Sequence, residues 1–510
     1  MSESDSTKIY NDYVRANLPN GMSYDTGTNR YDINNHSFFK FKNSDWYYQY
    51  ISKYGYSPVT TDFKMTVTTT TANETFTIPC RNEGTFNAGI QWGDGSVSTV
   101  TAYNDANLTH TFATAGDHLI RIRGSFPNIY FNNVGDKLKV KSVDNLGIVG
   151  WTRLNRAFHG CSNMTSFTAG TTDTSAVTVM VGMFRDCSSL TALDVSSFNT
   201  TVVTTMTEMF RFCNSLTALD VSSFNTAAVT DMNNMFRDCS SLTALDVSNF
   251  NTTAVTNIGA MFRGCNSLTA LDLSNFNTAA VTTTSNMFYN CSSLTALDVS
   301  NFNTTAVTSM SNTFYNCSGL TVLDVSSFNT AAVKNMSVMF RGCSSLTALD
   351  VSSFNTTVVT TMSNMFYSCS SLTSLDLSNF NTAAVTNMNA LFRFCSSLTA
   401  LDLSNFNTAA VTNMASMFQN CSSTTDIIGV EDFNIEGLNS AGDLNNFMNL
   451  VTLPTARYDA LLINWDAQEP LDAMTPNFGS STYTGGGTAA AARANLISND
   501  LWVINDGGIA

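Results

Sequence analysis

Between Cys161 and Cys421 a single pattern of apolar and polar positions returns every 26 residues. One period reads Met209-Phe-Arg-Phe-Cys-Asn-Ser-Leu-Thr-Ala-Leu-Asp-Val-Ser-Ser-Phe-Asn-Thr-Ala-Ala-Val-Thr-Asp-Met-Asn-Asn234, and Met235-Phe236 open the next. Leu219-Asp220-Val221-Ser222 alternates apolar with polar, which predicts a short strand with one buried face. Val229, Met232, Phe236 and Cys239 follow at intervals of three, four and three, the spacing of one helix face. The expected fold class is therefore an α/β solenoid of 26-residue leucine-rich repeats, with a short parallel strand and a helix in each repeat. One repeat buries too little apolar surface to order itself, so stability comes from stacking. Rungs stacked at about 4.8 Å give a ladder roughly 50 Å long over ten intervals.

The flanks carry different patterns. In residues 63–145 period-two runs such as Met65, Val67 and Phe76, Ile78 are punctuated by Gly and Asp, which predicts a small β-sandwich preceding the solenoid. Residues 1–62 are polar but ring-rich, with Trp46-Tyr47-Tyr48-Gln49-Tyr50 as the densest cluster, and read as a docking or extension segment ordered by packing. The solenoid is placed at 146–421, and 422–510 as its C-terminal cap. In that cap Thr455 is expected to cap a helix burying Tyr458, Leu461, Leu462 and Trp465, Thr488 to cap a second helix, and Leu501–Ile504 to form a closing strand.

Composition narrows the functions available. Charged residues are 12% of the 510, about half the usual share of roughly 25%, so Ser, Thr and Asn keep the surface wet. The net charge of -15 argues against phosphate-directed nucleic-acid binding, and no apolar run reaches the roughly 18 residues of a membrane span. The N-terminal residues lack the apolar stretch of a secretory signal, which points to an untargeted product. Eleven of the twelve cysteines, Cys161 to Cys421, keep the 26-residue interval. Zinc needs pairs two to four residues apart, and no CxxC occurs. Strand-like stacking would bring the thiols within disulfide reach, but a buried free thiol is the commoner fate.

No metal, cofactor or catalytic constellation is expected. The four histidines, His36, His110, His118 and His159, share no catalytic spacing with Ser, Cys or Asp, and a non-enzymatic role follows. Asp94, in a Gly-flanked turn, is read as stabilising that turn. Candidate binding residues lie in two exposed columns. Asp194, Asp220, Asp246, Asp272, Asp298, Asp324, Asp350, Asp376 and Asp402 project from the strand face, a line for a basic or cation-bridged partner or a solvated column that resists wrong stacking. Arg185, Arg211, Arg237, Arg263, Tyr289, Tyr315, Arg341, Tyr367, Arg393 and Gln419 follow the Met-Phe pair. These are hot-spot residue types, or long side chains covering Phe at a helix end.

The strings LTALDVSSFNTAAVTDM from Leu216 and MFRDCSSL from Met183 resemble the BspA-like leucine-rich repeat family over residues 161–421. Trp92-Gly-Asp-Gly95 with His110-Thr-Phe-x3-Gly-Asp-His-Leu-Ile-Arg-Ile122 is similar to the PKD type of immunoglobulin-like domain. The first resemblance implies surface proteins, mostly adhesins. Joined to the missing signal, it suggests a phage virion protein, a fibre, tail-tip or capsid decoration, that binds a bacterial surface protein or glycan through its solenoid. Trp46, Tyr47, Tyr48 and Tyr50 would then dock on other virion proteins. The alternative is a bacterial cell-surface adhesin, and a homo-oligomer is compatible with either.

Overall fold

A computed structural model describes Tyr24–Asp25, Arg30–Tyr31 and residues 61–510. The docking residues Trp46, Tyr47, Tyr48 and Tyr50 and His36 lie outside the described residues. The chain divides into two compact units, residues 1–59 with 95–97 and the remainder. In the first unit, β1 (Tyr24–Asp25) pairs antiparallel with β2 (Arg30–Tyr31), Tyr24 opposite Tyr31.

The second unit opens with β3 (Phe63–Thr69), β4 (Glu74–Thr77), β5 (Asn87–Gln91), β6 (Val97–Val100, all but its first residue), β7 (Thr109–Phe112), β8 (Gly116–Ser125) and β9 (Val140–Asn145). Along β3 burial alternates strictly, with Phe63, Met65, Val67 and Thr69 inward, as its period-two sequence demands. β3 pairs antiparallel with both β8 and β9. The expected small sandwich is observed instead as one sheet that runs on into the solenoid. Its order is β11-β10-β9-β3-β8-β5-β6, where β10 (Ser166–Thr168) and β11 (Ala192–Asp194) belong to the first rungs. Only β4 and β7 form a separate pair. β9, β10 and β11 are parallel, with Phe167 between Val143 and Leu193. The antiparallel module thus covers the first rung's edge, a place where an open sheet would recruit other chains. Asp62, with its side chain wholly buried, is held there by Arg123 at 2.8 Å.

From here each rung repeats the last. Parallel pairs β12 (Ala296–Leu297) with β13 (Val322–Leu323) and β14 (Ala400–Asp402) with β15 (Asp426–Ile428) lie on the strand side. A second column of parallel bridges runs from Val179 to Asn413. The inward column of Phe184, Phe210, Phe236 and their successors to Phe418 stacks with ring centroids 5.6–5.9 Å apart and planes within 10° of parallel.

The expected helix in each repeat is not found. Val229, Met232, Phe236 and Cys239 are buried as anticipated, yet no rung between 146 and 421 contains a helix. The N–H groups of Met232, Asn234, Phe236 and Asp238 donate instead to carbonyls of the next rung, at Asn257, Gly259, Met261 and Arg263 (2.6–3.0 Å). Those of Met235, Arg237 and Cys239 turn back three residues, to Met232, Asn234 and Phe236 (3.1–3.2 Å). Two residues per rung, here Asn234 (φ 57°) and Asp238 (φ 58°), take the left-handed conformation, which no α-helix tolerates. A chain of tight turns and a helix both bring every third or fourth side chain inward, so the apolar spacing alone does not separate them. The chain is a β-solenoid.

The rungs do not stop where the cysteine spacing does. Phe418 N–H donates to Phe447 O, Met448 to Asn477 and Phe478 to Asn505 (2.7–2.9 Å), so longer rungs continue through the region expected to be a cap. Two of them carry helices, α1 (Thr455–Asp466) and α2 (Thr488–Ser498). α1 buries Tyr458, Leu461, Leu462 and Trp465 as its sequence predicts, but Pro454 and Gly487 occupy the N-cap positions and neither Thr caps. The closing strand is not Leu501–Ile504. It is β17 (Gly508–Ile509), parallel to β16 (Thr482–Tyr483), because Trp502 must turn inward while Leu501 sits at φ 59°.

Candidate functional site

Two ladders fix the rung and thereby place the exposed columns. Buried threonines from Thr174 to Thr382, one per rung, donate Oγ1 to the carbonyl of an Asn in the next rung at 2.8–3.0 Å. At Thr330 the same oxygen accepts the N–H of Asn355 at 2.7 Å. Each thiol from Cys187 to Cys421 donates to a Phe carbonyl of the preceding rung at 2.9–3.2 Å. All twelve cysteines are free. Burial pushes the Cys239 thiol up to about 12, which leaves it without thiolate and chemically quiet.

The Asp column lies on the exposed strand face, and each of its members has a local task. Oδ1 of every Asp from Asp194 to Asp402 accepts the backbone N–H of the Ser two residues on, at 2.9–3.0 Å. That closes an Asx turn and ends the strand segment. Hydrogen bonds from Ser222 hold Asp220 below its ordinary 3.8 despite repulsion from Asp246. The same balance holds at Asp272 and Asp324. Hydrogen bonding therefore outweighs like-charge repulsion along the column. Beside it, Ala244, Ala270, Ala296 and Val322 floor an open groove of about 760 Å³ edged by Asp246 to Asp324.

The Arg/Tyr column lies on the turn side of the rungs, with every member half-buried. Arg185 Nη1 meets Glu208 Oε2 at 2.6 Å and Arg211 meets the other oxygen of Glu208. Arg237 Nε reaches Asp238 at 3.0 Å. Beyond it the column is a stack. Arg263 lies 4.3 Å from the Tyr289 ring centre, Tyr289 and Tyr315 stack at 4.2 Å, and Arg341 is 4.2 Å from Tyr367. Arg393 lies between Tyr367 and Phe394 at 5.5 and 5.1 Å. Burial and Tyr315 raise the Tyr289 phenol. With no helix present, the helix-end explanation for these cations falls away. Among the described residues no carboxylate lies within ion-pair range of Arg263, Arg341 or Arg393.

Elsewhere Asp94 pairs with His110 at 2.7 Å, and His110 stacks on Trp92. His118 stacks on Phe112 and meets Thr69 Oγ1 at 2.9 Å, while His159 meets Asp186 at 2.9 Å. His110 and His118 both contact the Phe112 ring. Among the described residues no group of three or more His, Cys, Asp or Glu is placed to hold a metal, and no helix is long and apolar enough to cross a membrane. The residues the sequence reading missed are the left-handed pair, Glu208 and the Thr ladder. Their signal was the Asn, Asp or Gly that recurs before Met-Phe and before Cys, and the constant Phe-Asn-Thr.

Fold and columns together define a repeat protein whose parallel β-solenoid carries side chains in register. A family model described as "Mycoplasma protein of unknown function, DUF285" matches residues 152–270, 219–320, 260–370 and 343–447, more than half of the chain. The protein belongs to that family. No curated protein matches. A solved structure of a leucine rich cell surface protein from Faecalibacterium prausnitzii A2-165 is similar at 15% identity, covering 72% of this chain and 93% of that one, with a TM-score of 0.31. Neither description names a virion protein, and the PKD-like resemblance has no counterpart among these matches.

Proposed function

We propose that this protein is a non-enzymatic binding protein of the bacterial cell surface, whose solenoid holds a macromolecular partner through its exposed columns. The Arg/Tyr column carries the reading. Its residues vary between Arg, Tyr and Gln while the adjacent Met, Phe and Cys hardly change, and it offers guanidinium and phenol groups in rigid register. Unlike the Asp column, the side chains of Arg263, Arg341 and Arg393 close no turn and stack only on rings, which leaves their charge to serve contact. A bacterial surface replaces the virion expected from the sequence, because the family is described from a bacterium.

Adsorption of the labelled chain to washed bacterial cells tests the reading. Replacing Arg263, Arg341 and Arg393 by Ala lowers adsorption roughly tenfold or more, as hot-spot residues do. Unchanged adsorption rejects the column as the contact surface. Finding the chain in purified phage particles at fixed stoichiometry, and not in washed envelopes, rejects the cell-surface setting.

A further inference from the structure

Resting on that reading of the solenoid as a binding surface, we propose that its partner is a second copy of this chain, whose Arg/Tyr column seats in the acidic groove of the strand face. The groove has an apolar floor of small side chains, Ala244, Ala270 and Ala296, and Val322 takes the Ala position with 69% of its surface exposed. Each bordering carboxylate spends Oδ1 on its own turn. The Ser two residues on also bonds each carboxylate through its side chain, and among the described residues no cation pairs with Asp246, Asp272, Asp298 or Asp324. The opposite requirement stands on the turn side. Arg263, Arg341 and Arg393 have their planes covered by Tyr and Phe rings, which leaves the guanidinium edge to bind carboxylates, although Nε of Arg393 is itself buried without a partner.

Register supplies the match. Both columns advance one residue per rung, so their spacing is the same by construction. Arg263, Arg341 and Arg393 are separated by three rungs and then two, and Asp246, Asp324 and Asp376 by the same three and two. Between them, Tyr289 and Tyr315 of one copy face Ala270 and Ala296 of the groove floor in the other, while Tyr367 and Arg393 fall on the rungs of Ala348 and Asp376 beyond it. The net charge of -15 opposes association at long range. At physiological salt, however, the screening length is about 8 Å, so distant charges fade while pairs in contact do not. The two columns lie on different faces, and the contact is therefore heterologous. Each joined pair keeps one free groove and one free Arg/Tyr edge, to which further copies add.

Sedimentation velocity of the full chain at physiological salt tests this. The expected result is concentration-dependent species above the monomer, without closure at the dimer. Arg263→Glu, Arg341→Glu and Arg393→Glu together weaken association roughly tenfold or more, the loss expected when paired charges become like charges. Asp246→Asn, Asp324→Asn and Asp376→Asn together, which keep each turn acceptor, also weaken it. Asp246→Lys, Asp324→Lys and Asp376→Lys together abolish self-association, and mixing that variant with the Glu variant restores a heteromeric species. A parent chain monomeric at every concentration, or a mixture that stays monomeric while both variants keep the parental circular dichroism, overturns the proposal. A monomeric chain that still adsorbs to cells sinks the self-pairing alone. Intact self-association with adsorption insensitive to Arg263, Arg341 and Arg393 sinks the cell-binding reading alone.

Discussion

Two backbone positions per rung decide the local structure. The residue before Met-Phe and the residue before Cys take φ between 52° and 75° from Gly182 to Asn420. Asn, Asp and Gly fill most of them, since their side chains tolerate this region. Val338, at φ 64°, is the one β-branched residue among them. A β-branched residue there is strained by about 1–2 kcal/mol, while the equivalent positions one rung either side are Asn312 and Asn364. Val338→Asn is therefore expected to stabilise the protein by about 1 kcal/mol, read as a higher denaturation midpoint with an unchanged slope. A lower midpoint would contradict a left-handed backbone at 338.

At the scale of the rung, cohesion comes from ladders of polar atoms inside a hydrophobic column. Thr330, wholly buried, bonds both the carbonyl and the N–H of Asn355, at 2.9 and 2.7 Å. Thr330→Val keeps the shape but leaves both main-chain groups without partners. The expected cost is about 2–4 kcal/mol, from two buried groups at about 1–2 each, with Thr330→Ser retaining most of the stability. Equal stability of the Val variant by chemical denaturation would show that the oxygen holds nothing. The same ladders explain what was legible beforehand. Period, inward residues and the line of Asp220 and its equivalents follow from sequence, because each is a matter of alternation. The helix was misread because inward spacing does not report where N–H groups donate. Only the Asn and Asp before Met235 and Cys239 bore on that question.

Over the whole solenoid, small local effects add up along the column. The eight carboxylates from Asp220 to Asp402 are all held below 3.8 by hydrogen bonds from Ser. A lowered folded-state value means that the unfolded chain takes up protons first. The stabilisation is thus complete above about pH 4 and lost as pH falls through the folded values. The melting temperature should stay level on acidification to about pH 5 and drop below about pH 4. Replacing Asp298, Asp324 and Asp350 by Asn, which keeps the turn acceptor, should make that drop smaller. A melting temperature that rises below pH 4 would mean that repulsion dominates the column after all.

The sequence by itself determined the repeat, its 26-residue period, the inward set of Leu, Val, Met, Phe and Cys, and the line of exposed Asp side chains. These are properties of periodicity, and periodicity survives any backbone that turns the same residues inward. Only the tertiary structure decided that the rung is made of turns and not a helix, that the sheet of the N-terminal module continues into the first rungs, and that Phe418 hands its N–H on to Phe447 past the last cysteine. Each of those rests on a hydrogen bond to a neighbouring rung, a partner 23 or more residues away that no local pattern names.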